Sequence, residues 1–297
     1  MLNVATLRLY HVGGSETKSS LGRSRSMTYC VEVDGAKVAY RLDGSGPGLM
    51  LLHGTGGNSE TNWSPLLDRL SESHTVIRPD YSGSGETVDD GRPLTVDMLA
   101  AQVIAAAEQA GATPFDLVGF SLGGSVAIYI AAEYPHLVRS VILLSGFATS
   151  VDSRQTLQFE LWRDLIRTDR KAMARLLLIT GFSPNFLAGM DSSAVNQAIE
   201  QIVATNNWDG MARQVELDLT IDVRDRARRI TKPTLVIGCT HDYMVPPAHS
   251  RSLADVIPNA RYLEIETGHL STFERPDQLA QSVLDFVSSG SGSPELP

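Results

Sequence analysis

The chain has 297 residues, enough to bury a full core as one large α/β domain or two smaller ones. Hydrophobic residues make up 42% and charged residues 20%, the balance of an ordinary globular protein rather than a fibrous or disordered one. A formal net charge of -9 argues against nucleic acid as the main partner, because a surface that tracks phosphates needs clustered Lys and Arg.

Residues 1–26, with "HVGGSETKSSLGRSRS", read as a polar extension without an apolar signal core. Met27 opens the recognisable domain and is a candidate start of translation, which the intact mass of the native protein tests. "TYCVEVDGAKVAYRL" predicts a hairpin turning at Asp34 and Gly35. "GLMLLH", residues 48–53, is a continuous apolar run of the kind buried on both faces of a parallel sheet. A helix over residues 60–71 and the strand "HTVIRPD" follow. Then come the helix "TVDMLAAQVIAAAEQAG", the strand "FDLVGF", a helix over 122–134 and the strand "VRSVILLSG". Strand and helix in alternation imply a mostly parallel sheet with helices on both faces.

Over residues 148–230 the alternation stops and the pattern is helical, clearest in "RQTLQFELWRDLIRTDRKAMARLLLI". It resumes with "PTLVIGC", a helix over 248–256, "ARYLEIE" and a last helix over 276–287. The expected organisation is a core of residues 27–147 and 231–287, a helical cap of 148–230 and a flexible tail of 288–297 with "SSGSGSPELP". Clefts of open α/β sheets lie at the carboxyl ends of the strands, so the cap is expected to cover that edge. The basic run "RDRARRITK", residues 224–232, reads as a solvated helix face. The two cysteines, Cys30 and Cys239, each lie in an apolar run and are expected to be buried free thiols, consistent with a cytoplasmic location. No apolar run approaches the roughly 18 residues that span a bilayer.

The chemistry centres on "GFSLGG". Gly119 closes an apolar strand and a helix begins at Leu122, the strand-turn-helix setting that holds a serine at a strained elbow with its hydroxyl presented. A side chain at Gly119 or Gly123 would collide across so tight a turn, and the helix start turns free amides toward Ser121. A plain glycine-rich turn is the competing reading. A serine hydroxyl attacks only when a base takes its proton and a carboxylate orients that base. His269 in "ETGHLSTFERP" and Asp242 in "CTHDYMVPP" both follow strands at the carboxyl edge, and the order Ser, Asp, His is the one expected on this architecture.

Other residues compete for these roles. His241 neighbours Asp242, His249 falls on a helix surface and His136 at a helix end. Asp80 ends a strand on the same edge and reads first as an acceptor for loop amides. Asp152 is the other acid placed near the carboxyl edge. His53 opens "HGTGGN", where glycines let backbone amides approach a substrate oxygen; its ring reads as structural. The amides of Thr55 and Leu122 are the expected oxyanion hole, with Gly56 in reserve. No motif has metal-ligand spacing, and no phosphate-binding glycine loop follows a strand, so no metal or cofactor is expected.

Together, "LLHGTGG", "RPDYSGSG", "GFSLGG", "PTLVIGCTHDYMVP" and "ETGHLSTFERPDQL" resemble the α/β-hydrolase superfamily over residues 29–287, specifically its lidded members with an "HG" oxyanion loop. The resemblance implies an eight-stranded, mostly parallel sheet with an antiparallel second strand and a helical cap inserted after the sixth. It implies Ser121 as nucleophile, His269 as base and Asp242 as acid. Serine at the elbow separates the chain from the epoxide hydrolase and dehalogenase branches, which use aspartate there. "HGTGGNSETNW" and "STFERPDQL" resemble carbon-carbon bond hydrolases, while the same scaffold serves esterases, lactonases, thioesterases and polyketide-tailoring enzymes. The expected function is hydrolysis of an ester, thioester or lactone of an apolar small molecule. The alternatives are elimination or cyclisation in natural-product biosynthesis and carbon-carbon cleavage; a ligand-binding receptor on a retired scaffold is disfavoured by the complete set of Ser121, Asp242 and His269. Phe159, Trp162, Leu165, Phe182, Phe186 and Trp208 are candidate pocket walls, competing with a plain core role.

Overall fold

The computed structural model describes residues 27–289. The expected extension, residues 1–26, and residues 290–297 of the expected tail lie outside the described residues.

The described residues open with strands β1 (Thr28–Val33) and β2 (Ala36–Asp43), paired antiparallel. Their turn places Asp34 and Gly35 at φ 47° and 82°, the two left-handed residues that a tight hairpin matching strand twist requires. β3 (Gly48–Leu52) follows, then the short helix α1 (Leu67–Leu70) and β4 (Thr75–Asp80). The helix expected over 60–71 is thus cut to its last turn, preceded by a 3-10 turn at Ser64–Leu66. Pro65 lacks the N–H that a helix interior needs, and the Asn58 side chain takes the Glu60 and Thr61 amides into a turn.

Next come α2 (Val96–Gln109), β5 (Phe115–Phe120), α3 (Leu122–Glu133) and β6 (Val138–Leu144). Thr95 caps α2 through its side chain, which accepts from the Met98 amide. Between β6 and the next strand stand α4 (Ser153–Thr168), α5 (Arg170–Gly181), α6 (Pro184–Ala188), α7 (Ser192–Thr205), α8 (Trp208–Asp218) and α9 (Arg224–Ala227). Asp152, Asp169, Ser183, Asp191 and Asn207 cap the first five of these helices with their side chains, so the insertion is punctuated by its own sequence. The described residues close with β7 (Thr234–Cys239), α10 (Pro247–Val256), β8 (Arg261–Ile265), α11 (Ser271–Glu274) and α12 (Pro276–Ser289), which runs two residues past its expected end.

The eight strands form one sheet in the order β1-β2-β4-β3-β5-β6-β7-β8, in which β2 is antiparallel to both neighbours and the pairs from β4 through β8 are parallel. Alternate residues of each central strand enter different cores. Met50, Leu52, Leu117, Val141, Leu143 and Val236 meet α2, α3 and the insertion; Leu49, Leu51, Val118, Ile142, Leu144 and Ile237 meet α1 and α12. Burial on both faces is why these strands read as unbroken apolar runs, each buried side chain contributing about 1.5–3 kcal/mol. The insertion has a smaller core of its own, built on Ala174, Leu178, Phe182, Ala198 and Ile199. Among the described residues, no helix is long and apolar enough to cross a membrane.

Two expectations change in detail. Cys239 is buried in β7, but Cys30 is exposed on β1, because β1 ends the sheet. The basic run is neutralised locally rather than merely solvated: Arg224 pairs with Asp222 at 2.6 Å, Arg228 with Asp225 at 2.8 Å, and Arg226 and Arg229 with Glu133 at 3.1 and 2.6 Å.

Candidate active site

Because β3, β5, β7 and β8 are mutually parallel, the loops after them all leave from one edge of the sheet. Ser121 follows β5 with φ 55° and ψ -119°, a left-handed conformation that a non-glycine residue adopts only under constraint. The constraint is visible on both sides: its N–H donates to Leu144 O at 3.0 Å, and its carbonyl accepts from the Gly124 amide at 2.8 Å. A Cβ on Gly119 would lie 2.3 Å from Gly123 O, and one on Gly123 would lie 2.5 Å from Leu52 O. Neither site admits a side chain, as the turn's tightness predicts.

Asp242, after β7, and His269, after β8, meet directly. The His269 Nδ1–H donates to Asp242 Oδ2 at 2.7 Å, in a setting where both side chains are buried. Asp242 Oδ1 accepts the amides of Met244 and Val245 at 2.9 and 2.7 Å, which fixes the carboxylate from its own loop. The His269 ring packs against Phe120, the residue before Ser121, with centroids 4.7 Å apart.

The competing residues make other contacts. Asp80 accepts the Ser59 and Glu86 amides at 2.6 and 3.1 Å, the loop-fixing role expected of it. Asp152 caps α4 and lies 3.5 Å from His249 Nε2 on α10. His136 is exposed in a 3-10 turn, and the His241 amide donates to Thr267 O. His53 is fully buried: its Nδ1 lies 2.9 Å from Gly54 O, its Nε2 lies 2.9 Å from Ser84 Oγ, and its ring stacks on Tyr81 at 4.0 Å. Burial pushes the His53 pKa below the usual histidine value, which favours the neutral ring.

The "HGTGG" loop runs past Ser121, where a Cβ on Gly54 would lie 3.0 Å from the Ser121 Cβ. The Gly54 amide donates to Asn62 Oδ1 at 3.0 Å and the Gly56 amide to Gln214 Oε1 at 2.8 Å. Gly56 is therefore not a reserve donor, since its N–H is already committed. The Thr55 amide, between them, has no acceptor among the described residues, and neither does that of Leu122 in the first turn of α3. The Thr55 hydroxyl donates to Asp218 Oδ2 at 2.6 Å. Asp218 is fully buried on α8, and burial pushes its carboxyl up to about 8 against the opposing pull of the Thr55 hydrogen bond.

On the histidine side, Glu274 Oε1 accepts from the Ser183 amide at 2.7 Å and the Gly268 amide at 2.9 Å, while Oε2 accepts from Ser183 Oγ at 2.6 Å. The expected aromatic residues are mostly core: Phe159 and Trp162 join the main cluster and Leu165 packs on it, while Phe182 stacks on Phe186 in the insertion. Trp208 also belongs to the main cluster, with its indole N–H donating to Val203 O. Asn62, Gln214, Asp218 and Glu274 carry no motif in the sequence; their partners appear only on folding.

The family model described as alpha/beta hydrolase fold matches residues 47–276. The chain belongs to the α/β-hydrolase family. Pyrrolizixenacetamide deacetylase of Xenorhabdus hominickii is 56% identical over 259 residues, 87% of this chain and 97% of that protein. The pimeloyl-[acyl-carrier protein] methyl ester esterase of Xanthomonas oryzae pv. oryzae is 28% identical, across 83% of this chain and 97% of the esterase. Among solved structures, the enol-lactonase of Burkholderia xenovorans LB400 superposes with a TM-score of 0.80 at 26% identity, covering 88% of this chain and all of the lactonase. These relatives are named as a deacetylase, an esterase and a lactonase, and this chain is an α/β-hydrolase-fold hydrolase.

Proposed function

We propose that this protein is a serine hydrolase that removes a small acyl group, of acetyl size, from an amide of an apolar natural product. The observation carrying the chemistry is the 2.7 Å hydrogen bond from His269 to Asp242 on the sheet edge that also presents Ser121. The amide, in place of the ester, thioester or lactone expected from sequence, rests on the 56% identity with a deacetylase whose name specifies an acetamide.

In this mechanism Ser121 Oγ attacks the acetyl carbonyl while His269 Nε2 takes its proton. Asp242 holds the imidazole in the tautomer that leaves Nε2 free and stabilises the imidazolium as it forms. The Thr55 and Leu122 amides receive the oxyanion, and the dipole of α3 adds to them. The imidazolium then protonates the departing amine, which ester cleavage needs less because an alkoxide or thiolate leaves more readily. Water, activated by His269, releases acetate from Ser121. Residues 148–230 act as the cap that closes this edge, and the two unpaired thiols support a reducing compartment such as the cytoplasm.

The test is incubation with a fluorophosphonate probe and with N-acetyl substrates in heavy-oxygen water. Labelling at Ser121 that disappears in Ser121→Ala, with one heavy oxygen in the released acetate, is the expected result. An unlabelled folded protein would remove the serine mechanism, and unlabelled product acid would move the reaction to elimination or cyclisation. Turnover of acetyl esters with inert acetamides would return the substrate to the ester class.

A further inference from the structure

The loop carrying Thr55 has glycine at positions 54, 56 and 57, so its own backbone does little to hold one conformation. An oxyanion donor must nevertheless keep its N–H at a fixed angle before the substrate arrives, since preorganisation is where its contribution originates. The anchors therefore have to come from outside the loop. One comes from the core, where Asn62 Oδ1 takes the Gly54 amide and fills the space a Gly57 side chain would need.

The others come from α8 of the insertion. Gln214 Oε1 takes the Gly56 amide at 2.8 Å, and Asp218 Oδ2 takes the Thr55 hydroxyl at 2.6 Å. These residues are one helical turn apart and share a face, as i and i+4 must. On the same helix, the Met211 thioether lies 2.9 Å from where a Gly56 Cβ would stand, so the helix presses on the loop as well as bonding to it. Both side chains are fully buried, and each keeps one polar atom, Gln214 Nε2 and Asp218 Oδ1, without a partner among the described residues. Burying polar groups that are only half satisfied costs stability, so apolar residues would serve better if packing were their whole role.

We infer that Gln214 and Asp218 are positioning residues that set the oxyanion-hole amide of Thr55, so that the insertion completes the catalytic frame in addition to covering it. The inference rests on the reading that Thr55 donates to the oxyanion. Asp218 acts through the Thr55 side chain, and Gln214 through the peptide that follows it; neither touches the reacting atoms.

The experiment measures steady-state kinetics on p-nitrophenyl acetate for Thr55→Val, Asp218→Leu, Gln214→Leu and the Thr55→Val/Asp218→Leu double variant, with melting temperatures alongside. Thr55→Val leaves the insertion's own residues unchanged and replaces the hydroxyl with a methyl group, which breaks the bond to Asp218. We expect kcat to fall about ten- to a hundredfold in each single variant, with KM changed less than about twofold. The double variant should lose no more than its worse parent, and Asp218→Asn, which keeps an acceptor for the hydroxyl, should recover most of what Asp218→Leu loses. Losses that multiply in the double variant, losses carried by KM, or kcat within twofold of the parent in Thr55→Val would each overturn the inference. Ser121→Ala run in parallel separates the two readings: if it is inactive while Thr55→Val and Asp218→Leu are normal, only the positioning role falls. If Ser121→Ala turns over normally, the serine mechanism falls and the inference with it.

Discussion

Asp242 divides its carboxylate between two tasks, one oxygen held by the Met244 and Val245 amides and the other accepting the His269 Nδ1–H. The amide contacts orient the side chain whether or not it carries charge, so geometry and charge can be separated by substitution. Asp242→Asn should fold with a melting temperature close to the parent's, because an amide oxygen can still accept from the loop. It should lose about 10⁴-fold in kcat, since a carboxamide neither fixes the imidazole tautomer nor stabilises the imidazolium. A loss under tenfold in acetyl transfer to water would remove Asp242 from the acid role.

The elbow glycines invite a paired comparison. Gly123→Ala drives a Cβ to 2.5 Å from the Leu52 carbonyl, where backbone must move, whereas Gly111, at φ +63°, has nothing within 4 Å of its Cβ position. Gly111→Ala should cost about 1 kcal/mol from the left-handed backbone alone and leave kcat untouched. Gly123→Ala should cost about 1–3 kcal/mol from overpacking and also reduce kcat, because the displaced backbone carries Ser121 and Leu122. Urea unfolding and initial rates on the same preparations check both.

Asp218 makes stability depend on pH in a defined direction. Its carboxyl releases a proton near 3.8 in the unfolded chain and near 8 in the folded one. Between those values the folded state holds more protons, so parent stability falls as pH rises through the interval and levels off above about 8. Asp218→Asn carries no proton to lose, so its melting temperature relative to the parent should climb across the same window. A difference independent of pH would show that the carboxyl is not held neutral by burial.

The two cysteines should react in sequence. Cys30 is exposed on the edge strand, while Cys239 is buried and its thiol is pushed up to about 11, chiefly by burial. A thiol reagent at pH 8 should therefore modify Cys30 promptly and Cys239 only after denaturant is added. Peptide mapping of the modified chain distinguishes one from the other.

Much of the fold was legible because the central strands are buried on both faces and so appear as apolar runs separated by helix caps and turns. The hairpin was legible through Asp34 and Gly35, whose residue types suit left-handed backbone. The placement of Ser121, Asp242 and His269 on one edge followed from each lying just after a strand. What stayed hidden were pairings between distant segments. Thr55 and Asp218 are separated by 163 positions and Gly56 and Gln214 by 158, and a single Gln or Asp on an amphipathic helix carries no local mark of its partner. The exposure of Cys30 is hidden for a related reason: composition reports that a strand is apolar, but not that it ends the sheet.

Glu274 gathers the amides of Gly268 and Ser183 on the histidine flank, and Gln214 and Asp218 hold the Thr55 loop on the other. The insertion is thus tied to the sheet edge at two places, through Ser183 on one flank and through Gln214 and Asp218 on the other. Residues 184–205, which lie between the two ties, should exchange backbone hydrogen for deuterium faster than α8 or the Gly181 to Ser183 turn. A redesign of the insertion that is meant to keep its attachment to the sheet would accordingly vary that stretch and leave both ties untouched.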